Sequence, residues 1–325
     1  MKSAKILFIF IFIGILGEIT NRANNNFLNL NTNHWIDNQG YWTKLASKGM
    51  VPYNPDLSPK QAVYTGTYLK AQTVSTLNSP DIPVSGDNTT QSENSVFIDP
   101  YDETILVNSN NSTTNPVDTV FGANSLHSLN SGDSWGGQLE GAGENNYGDP
   151  STVINRNGRW FVNYINSSGG MGVSFSDDEG ETWTVKSATS GTMIDCDKSH
   201  MWIDNNPDSP HEGNIYISWT NVGNLDVGDI GVSYSTDEGE TWVMNTNISE
   251  DINAGSHNQG VNISTGPDGT VYAVWSVYDS WQSGGSDESA IGMAISIDGG
   301  QTWSSSNRII SNIRGIRSTK TSKNM

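Results

Sequence analysis

Four acidic residues and one tyrosine are the side chains of this sequence whose types and spacing could support chemistry. Glu93, Asp149 and Asp197 each come shortly before an alternating stretch, and Tyr278 and Asp279 end an apolar one. Two carboxylates on either side of a glycosidic bond can hydrolyse it, one as the acid and the other as the base or nucleophile. These five residues are the candidate catalytic residues, although an Asp at a strand end also commonly forms a turn.

The alternating stretches that follow these residues are predicted to be strands. They begin at positions 95, 151, 200 and 260, and each leads through a turn into a more apolar strand. Because the four units share this layout, they can be aligned. The alignment places one residue of each unit at an equivalent position before the first strand: Glu93, Asp149, Lys198 and Asn258.

The third strand of each unit leads into an eight-residue turn with the pattern S-x-D-x-G-x-T-W. Asp can hydrogen-bond the backbone two residues on, Gly supplies a positive φ, and Trp can bury its ring beneath the turn. A weaker first copy spans 128–135, with Asn in place of Asp. The residues that define the three full copies are Ser176, Asp178, Gly180, Thr182 and Trp183; Ser235, Asp237, Gly239, Thr241 and Trp242; and Ser296, Asp298, Gly300, Thr302 and Trp303.

The four turns recur at a regular period. Their tryptophans stand at positions 135, 183, 242 and 303, so one unit takes about 50 to 60 residues, which is typical of repeat architectures. A four-stranded unit repeated at this period predicts an all-β fold. The specific prediction is a β-propeller of four-stranded antiparallel blades, with about four blades present.

The turn resembles the Asp box, or BNR repeat, of sialidases and related β-propellers. The resemblance covers the blades, roughly two-thirds of the chain, and implies six blades, so the four recognised here predict an incomplete propeller. It implies that the Asp boxes are structural turns on the face opposite the ligand site. It also implies that a Tyr activated by a Glu could be the nucleophile, which is the reason for including Tyr278.

The face opposite the Asp boxes, called the mouth face below, is predicted to bind the ligand. Its loops are acidic and aromatic, and such side chains can bind sugar hydroxyls and stack on sugar rings. Residues 195–200 and 204–208 carry oxygen ligands of the type calcium uses, but their spacing favours turns, so no metal or cofactor is predicted. The candidate ligand-binding residues are Lys198, His257, Asn258, Tyr164 and Trp281.

Arginines separate this chain from the sialidase pattern. The resemblance implies three arginines that hold the substrate carboxylate, because a guanidinium binds a carboxylate bidentately. The chain has six, at positions 22, 156, 159, 308, 314 and 317, and no F/Y-R-I-P motif. The topology puts positions 156 and 159 on the Asp-box face, and the last three cluster near the C-terminus. An arginine triad is therefore not found, and whether the chain is an enzyme stays open.

Composition and the first residues indicate where the protein acts. A net charge of -19 and a pI of about 4.4 exclude nucleic acid as a partner. The single cysteine, Cys196, excludes an internal disulfide. Lys2 and Lys5 precede an apolar run, residues 6–16, that is too short to span a membrane and fits a secretory signal. The protein is expected to be secreted or at the cell surface, without a transmembrane anchor.

The sequence divides into four segments. They are a signal peptide (1–17), an N-terminal extension (18–91), the blades (92–310), and a tail or the start of a missing blade (311–325). The leading function is a glycan-directed protein of the glycoside hydrolase type, with exo-α-sialidase as the specific candidate. The alternative is a non-catalytic propeller that binds glycan or glycoprotein at the cell surface. The sequence leaves the oligomeric state open.

Overall fold

A computed structural model describes residues 82–86, 90–113, 120–189, 195–222, 228–245, 247–252, 256–279 and 288–311. All of them lie in one compact unit that spans residues 64–316. The signal peptide, most of the N-terminal extension and the tail after residue 311 lie outside the described residues, so these three segments stay predictions. Every regular element of the described residues is a β-strand.

The strands form four antiparallel sheets, each built from consecutive strands, as expected for propeller blades. Blade 1 carries one additional short strand, β3, which pairs with β2. Blade 1 contains β1 (Thr90–Ile98), β2 (Leu106–Thr113), β3 (Val120–Ala123), β4 (Ser125–Ser128) and β5 (Gly136–Gln138). Blade 2 contains β6 (Ser151–Ile154), β7 (Trp160–Ile165), β8 (Met171–Ser176) and β9 (Thr184–Ser187). Blade 3 contains β10 (Cys196–Ile203), β11 (Ile215–Asn221), β12 (Asp229–Ser235) and β13 (Val243–Asn245). Blade 4 contains β14 (His257–Thr265), β15 (Val271–Tyr278), β16 (Ala290–Ser296) and β17 (Asn307–Ser311).

The predicted all-β class and the four blades are confirmed, and the ring of blades is not closed. The second strand of blades 2 and 3 is buried on both faces, because each of these blades lies between two others. This explains why β7 and β11 read as nearly continuous apolar runs rather than alternating ones. Whether the full ring has six blades stays a prediction.

The core lies between the blades rather than within them. Between blades 3 and 4, Tyr216 and Val232 pack with Ile263 and Trp275 in the largest cluster. A second cluster joins blades 2 and 3, and a smaller one around Trp160 joins blades 1 and 2. Since packing between blades buries the large side chains, each blade depends on its neighbours for stability.

The Asp boxes form the turns that the sequence predicts. In the third copy, the Asp237 carboxylate accepts hydrogen bonds from the Ser235 hydroxyl at 2.9 Å, the Thr241 backbone N–H at 2.9 Å and the Thr241 hydroxyl at 2.6 Å. The Trp242 indole N–H donates to the Gly239 carbonyl at 3.0 Å. The turns that begin at Ser176 and Ser296 repeat the three bonds of the carboxylate.

The first Asp box uses Asn130 with the same geometry. Its side-chain oxygen accepts from the Ser134 N–H at 2.9 Å, as Asp237 does in its own turn. Its amide nitrogen donates to the Ser134 hydroxyl at 2.8 Å, so the polarity of this one bond is reversed. The turn therefore depends on the shape of the Asp or Asn side chain. The hydroxyl of the following Ser or Thr can donate a hydrogen bond to that side chain or accept one from it.

Cys196 is buried at the start of β10. Its backbone N–H donates to the Gly169 carbonyl at 2.9 Å. Burial, with smaller effects from the charges of Asp195 and Asp197, raises the pKa of its thiol to about 12. Cys196 is thus a thiol without nucleophilic character at neutral pH.

Candidate functional site

The inner strands, β1, β6, β10 and β14, share a backbone feature where the chain enters them. One residue of each has a left-handed backbone: Glu93 (φ 53), Asp149 (φ 55), Lys198 (φ 49) and Gly260 (φ 72). In β1, β10 and β14 this residue lies in a bulge, where the pairing register shifts. Three of the four are not glycine. A left-handed backbone costs a non-glycine residue about 1 to 3 kcal/mol and persists only where the surrounding structure imposes it, so these three residues are candidate functional positions.

The predicted equivalence of three mouth residues agrees with this feature, and that of Asn258 is wrong by two residues. Gly260 takes the position in blade 4, because the bulge of β14 lies between Gln259 and Asn262. Asn258 lies two residues before Gly260 in β14. Its side chain accepts a hydrogen bond from the Trp275 indole N–H at 2.9 Å and donates one to the Gly228 carbonyl at 2.9 Å. Blade 4 therefore contributes no side chain at its mouth position.

Lys198 joins two of the predicted catalytic carboxylates. Its ammonium lies 3.2 Å from the Glu93 carboxylate, and its backbone N–H donates to Asp149 Oδ2 at 2.8 Å. The Ser199 hydroxyl donates to the Asp149 carbonyl at 2.8 Å. Residues from three blades thus meet on the mouth face, across 105 positions of sequence between Glu93 and Lys198.

Asp197 extends this group toward blade 4. Its Oδ2 accepts a hydrogen bond from the Gln259 amide at 2.7 Å, and Gln259 Oε1 lies 3.2 Å from His257 Nε2. Because the Gly228 N–H donates to His257 Nδ1 at 3.0 Å, the proton of the neutral ring is on Nε2 and is donated to Gln259. Glu93, Asp149, Asp197, Lys198 and Gln259 are called the mouth cluster below.

Burial and neighbouring carboxylates shift the pKa values of Glu93 and Asp197 in the mouth cluster. Burial raises the pKa of Glu93 to about 7, helped by the hydrogen bond and the charge of Asp149 and opposed by Lys198. Burial and the charge of Asp149 also raise the pKa of Asp197, while Gln259 and Lys198 act in the opposite direction. Near neutral pH, Glu93 is therefore protonated in a large share of molecules and can donate a proton.

Tyr278 ends β15, where it pairs with His257, and Asp279 follows it. Tyr278 is buried, its hydroxyl donates to Glu288 at 3.0 Å, and its ring meets the His257 ring edge-on at 5.9 Å. Asp279 is held by Arg308, whose guanidinium donates to both carboxylate oxygens. The hydrogen bond from Arg308 is the main reason that the pKa of Asp279 is lowered.

Of the remaining predicted ligand-binding residues, the structure describes Tyr164. Tyr164 is buried in blade 2, where its hydroxyl bonds with the Ser174 hydroxyl at 2.7 Å, and burial raises its pKa. Trp281 lies outside the described residues. Their roles stay predictions. Within the part of the chain that the structure describes, no group of three His, Cys, Asp or Glu residues is placed to hold a metal ion.

Sequence reasoning missed Gln259 and Arg308 as partners of predicted acids. Gln259 lies one residue before the bulge of β14, so the misplaced alignment of that strand concealed it. Arg308 belongs to β17, and it reaches Asp279 because β17 and β15 both pair with β16. The arginine was visible in the sequence, but its distance from the mouth face could not be judged without the pairing.

Comparison with known proteins supports the repeat. A family model described as the BNR/Asp-box repeat matches residues 294–305, the turn of blade 4. No curated protein shows significant similarity to the chain. None of the described residues forms a helix long and apolar enough to cross a membrane.

Three solved structures are similar to this chain at low sequence identity. A protein of unknown function from Dyadobacter fermentans is 17% identical, with a TM-score of 0.49 over 68% of this chain and 69% of that chain. The intramolecular trans-sialidase from Ruminococcus gnavus is 12% identical, with a TM-score of 0.48 over 73% of this chain and 75% of that chain. The leech intramolecular trans-sialidase is 12% identical, with a TM-score of 0.47 over 71% of this chain and 53% of that chain. The chain therefore carries a BNR/Asp-box repeat in blade 4, and the same turn recurs in each of the three other blades.

Proposed function

We propose that this chain is a glycan-directed protein of the glycoside hydrolase type whose ligand binds at the mouth cluster. The observation that carries the proposal is the pair formed by Glu93, with its pKa near 7, and the neighbouring Asp149. Glycoside hydrolysis needs one carboxyl group that keeps its proton at working pH beside another that has lost it. Burial, helped by the hydrogen bond and the charge of Asp149, raises the pKa of Glu93, so Glu93 is the carboxyl group that can keep its proton.

The chemistry assigns a step to each carboxyl group. The Glu93 carboxyl donates its proton to the glycosidic oxygen as the bond between that oxygen and the anomeric carbon breaks. A water molecule adds its oxygen to the anomeric carbon and gives a proton to Asp149. Lys198 and Gln259 offer N–H donors to sugar hydroxyls from the two sides of the cluster. We assign Glu93 as the acid and Asp149 as the base. The hydrogen bond between their carboxyl groups must open when substrate binds, because an acid and a base that act through a water stand about 6.5 to 9.5 Å apart.

The charge of the cluster favours a neutral sugar. Three carboxyl groups face a single ammonium group in the mouth cluster. An anionic sugar such as sialic acid needs cationic partners for its carboxylate. Arg308, the arginine nearest to the predicted acids of blade 4, is already paired with Asp279. Neutral glycosides are therefore the first substrates to test, and sialosides the second.

The test is hydrolysis of a panel of chromogenic neutral glycosides and sialosides by the purified chain. Glu93→Gln and Asp149→Asn should each reduce turnover by about 10²-fold or more. Glu103→Gln, an exposed glutamate in the turn after β1, is the matched control and should leave turnover unchanged. Turnover that survives both cluster substitutions would refute the assignment of these residues.

A non-catalytic glycan-binding propeller is the second candidate. The observation that favours it is that Lys198 already satisfies both Glu93 and Asp149, as in a structural network. In that case a glycan array should show binding without turnover of any glycoside in the panel. Lys198→Met should then weaken binding, whereas the Glu103→Gln control should not.

We further propose that the protein is exported. The support is the pattern of the first 17 residues, with two lysines ahead of an apolar run. Expression of the full chain should give mature protein in the external fraction. Mass spectrometry of its N-terminus should place cleavage near residue 17, and an intact N-terminus in the cytoplasm would refute the proposal.

A further inference from the structure

Tyr147 is an exposed aromatic residue at the mouth face. It lies two residues before Asp149 of the mouth cluster, and its side chain belongs to a residue that is 62% exposed. The structure describes two further exposed aromatic residues, and both lie toward the Asp boxes. Tyr101 is in the turn after β1 that bonds with the first Asp box, and Tyr272 pairs with Ile295, next to the fourth. Among the described residues, Tyr147 is therefore the exposed aromatic residue on the face predicted to bind the ligand.

The backbone that carries Tyr147 is held by hydrogen bonds on both sides. The Tyr147 N–H donates to the Ile165 carbonyl at 2.8 Å, and the Ile165 N–H donates to the Gly148 carbonyl at 2.9 Å. The Gly148 N–H donates to Asn146 Oδ1 at 2.9 Å, and Asn146 forms a β-bridge with Asn166. Because this backbone is fixed before a ligand arrives, little further conformational freedom is lost when a ligand packs on the ring.

Asn111 of blade 1 lies beside the same segment. Its Oδ1 accepts the Asp149 N–H at 2.7 Å. A Cβ added at Gly148 would lie 2.3 Å from that oxygen and 3.2 Å from Asn111 Nδ2, so the amide group packs directly on the residue between Tyr147 and Asp149. Asn111 is partly exposed, and its Nδ2 has no acceptor among the described residues. An amide donor and an aromatic ring thus stand together next to the mouth cluster.

We propose that Tyr147 and Asn111 form a second sugar subsite next to Glu93 and Asp149, so that the ligand is a chain of at least two neutral sugars. Two peptide units separate Tyr147 from Asp149, so their Cα atoms lie at most about 7.6 Å apart, which places the two subsites side by side. This inference rests on the proposed function, because it takes the neighbouring sugar to bind at the mouth cluster.

The two side chains recognise different parts of the sugar. The apolar side of a sugar ring packs on the Tyr147 ring, because its C–H groups meet the negative face of the aromatic π-system. Asn111 Nδ2 donates a hydrogen bond to a hydroxyl group of the same sugar. Neither side chain carries a charge that could pair with an acidic or a basic sugar. The subsite therefore takes a neutral unit.

The test compares a substrate that reaches the second subsite with one that does not. The first is the disaccharide of the neutral sugar and linkage that wild type hydrolyses fastest, and the second is the glycosyl fluoride of that sugar, whose leaving group is too small to touch Tyr147. Tyr147→Ala should lower the ratio of kcat/KM for the disaccharide to kcat/KM for the fluoride by about 10-fold. Tyr147→Phe keeps the ring and should stay close to the wild-type ratio.

Two further variants complete the set, and thermal melts confirm that all of them fold. Asn111→Asp keeps the acceptor for the Asp149 N–H and removes the donor, so it should also lower the ratio. The ratio cancels any effect of its added charge on the catalytic step, since both substrates undergo that step. Tyr101→Ala is the matched control, because Tyr101 is 58% exposed and lies toward the Asp boxes, and it should leave the ratio unchanged.

The outcomes separate this inference from the proposed function. An unchanged ratio in Tyr147→Ala, while Glu93→Gln and Asp149→Asn still lose turnover, would overturn the second subsite and leave the proposed function intact. If the chain binds glycan without turnover, the ratio is taken from the affinities for the disaccharide and the monosaccharide, and Tyr147→Ala should lower it equally. Wild-type protein that neither hydrolyses nor binds any neutral glycan would overturn both proposals.

Discussion

Replacing Asp237 in the third Asp box with alanine or with asparagine should have different effects on stability. Alanine removes three hydrogen bonds, two of them with Thr241 and one with the Ser235 hydroxyl. The turn is exposed, so water replaces part of each bond, and the net contribution of each is about 0.5 to 1 kcal/mol. The expected loss for Asp237→Ala is therefore about 2 kcal/mol.

Asparagine should be tolerated because the first Asp box already uses it. Asn130 keeps the bond with the backbone N–H and donates to the hydroxyl of Ser134 instead of accepting from it. The same rearrangement is open to Asp237→Asn, since the Thr241 hydroxyl can accept as well as donate. The expected loss for Asp237→Asn is about 0.5 kcal/mol, mainly from replacing a charged acceptor with a neutral one.

Thermal unfolding followed by tryptophan fluorescence measures both changes. For a unit of this size about 1 kcal/mol shifts the Tm by roughly 3 °C, so alanine should lower it by about 6 °C and asparagine by about 2 °C. Asn130→Ala provides the matched loss in the first copy. Equal losses for Asp237→Asn and Asp237→Ala would refute the reasoning, because they would show that charge rather than side-chain shape holds the turn.

Three further predictions concern protonation and packing. Glu93→Gln should abolish the decline of glycosidase activity above about pH 7 and should reduce turnover more for poor leaving groups than for activated ones; an unchanged pH profile would argue against its role as the acid. The hydrogen bond from Thr182, in the same turn, lowers the pKa of Asp178. The Asp178 carboxylate therefore stabilises the fold above the pKa that it has in the unfolded chain, and this stabilisation is lost as the pH falls through its lower pKa in the folded chain. Acid denaturation of Asp178→Asn should accordingly be less steep than that of wild type. Gly292→Ala would put a Cβ 2.5 Å from the Trp275 indole nitrogen and should cost about 2 kcal/mol or more by thermal melt, whereas Gly86→Ala meets nothing within 4 Å and should cost little.

The turns and the inner-strand starts could be predicted because they depend on local sequence. Each Asp box closes on itself within eight residues, so its pattern carries the whole structure. Glu93, Asp149 and Lys198 could be aligned because each stands two residues before an alternating stretch of the sequence, and all three have the same left-handed backbone. The alignment failed in the fourth blade, where the mouth position is Gly260, two residues later than the sequence pattern placed it.

The contacts of the mouth cluster could not be predicted from the sequence. Lys198 and Glu93 belong to blades 3 and 1, and their meeting depends on how tightly the blades curve around the axis. That curvature is set by the sizes of side chains between blades, such as Trp160 and Trp219, which no local pattern encodes.

The reactivity of the buried Cys196 thiol can report local unfolding of the chain near the mouth cluster. A thiol with a pKa of about 12 reacts only slowly with alkylating reagents while it is enclosed. Because the chain has a single cysteine, any labelling reports the same point at the start of β10, next to Asp197. The labelling rate in native conditions then measures how often this strand detaches, without any engineered residue. A bound ligand that bridges the mouth cluster should slow that rate in proportion to its occupancy.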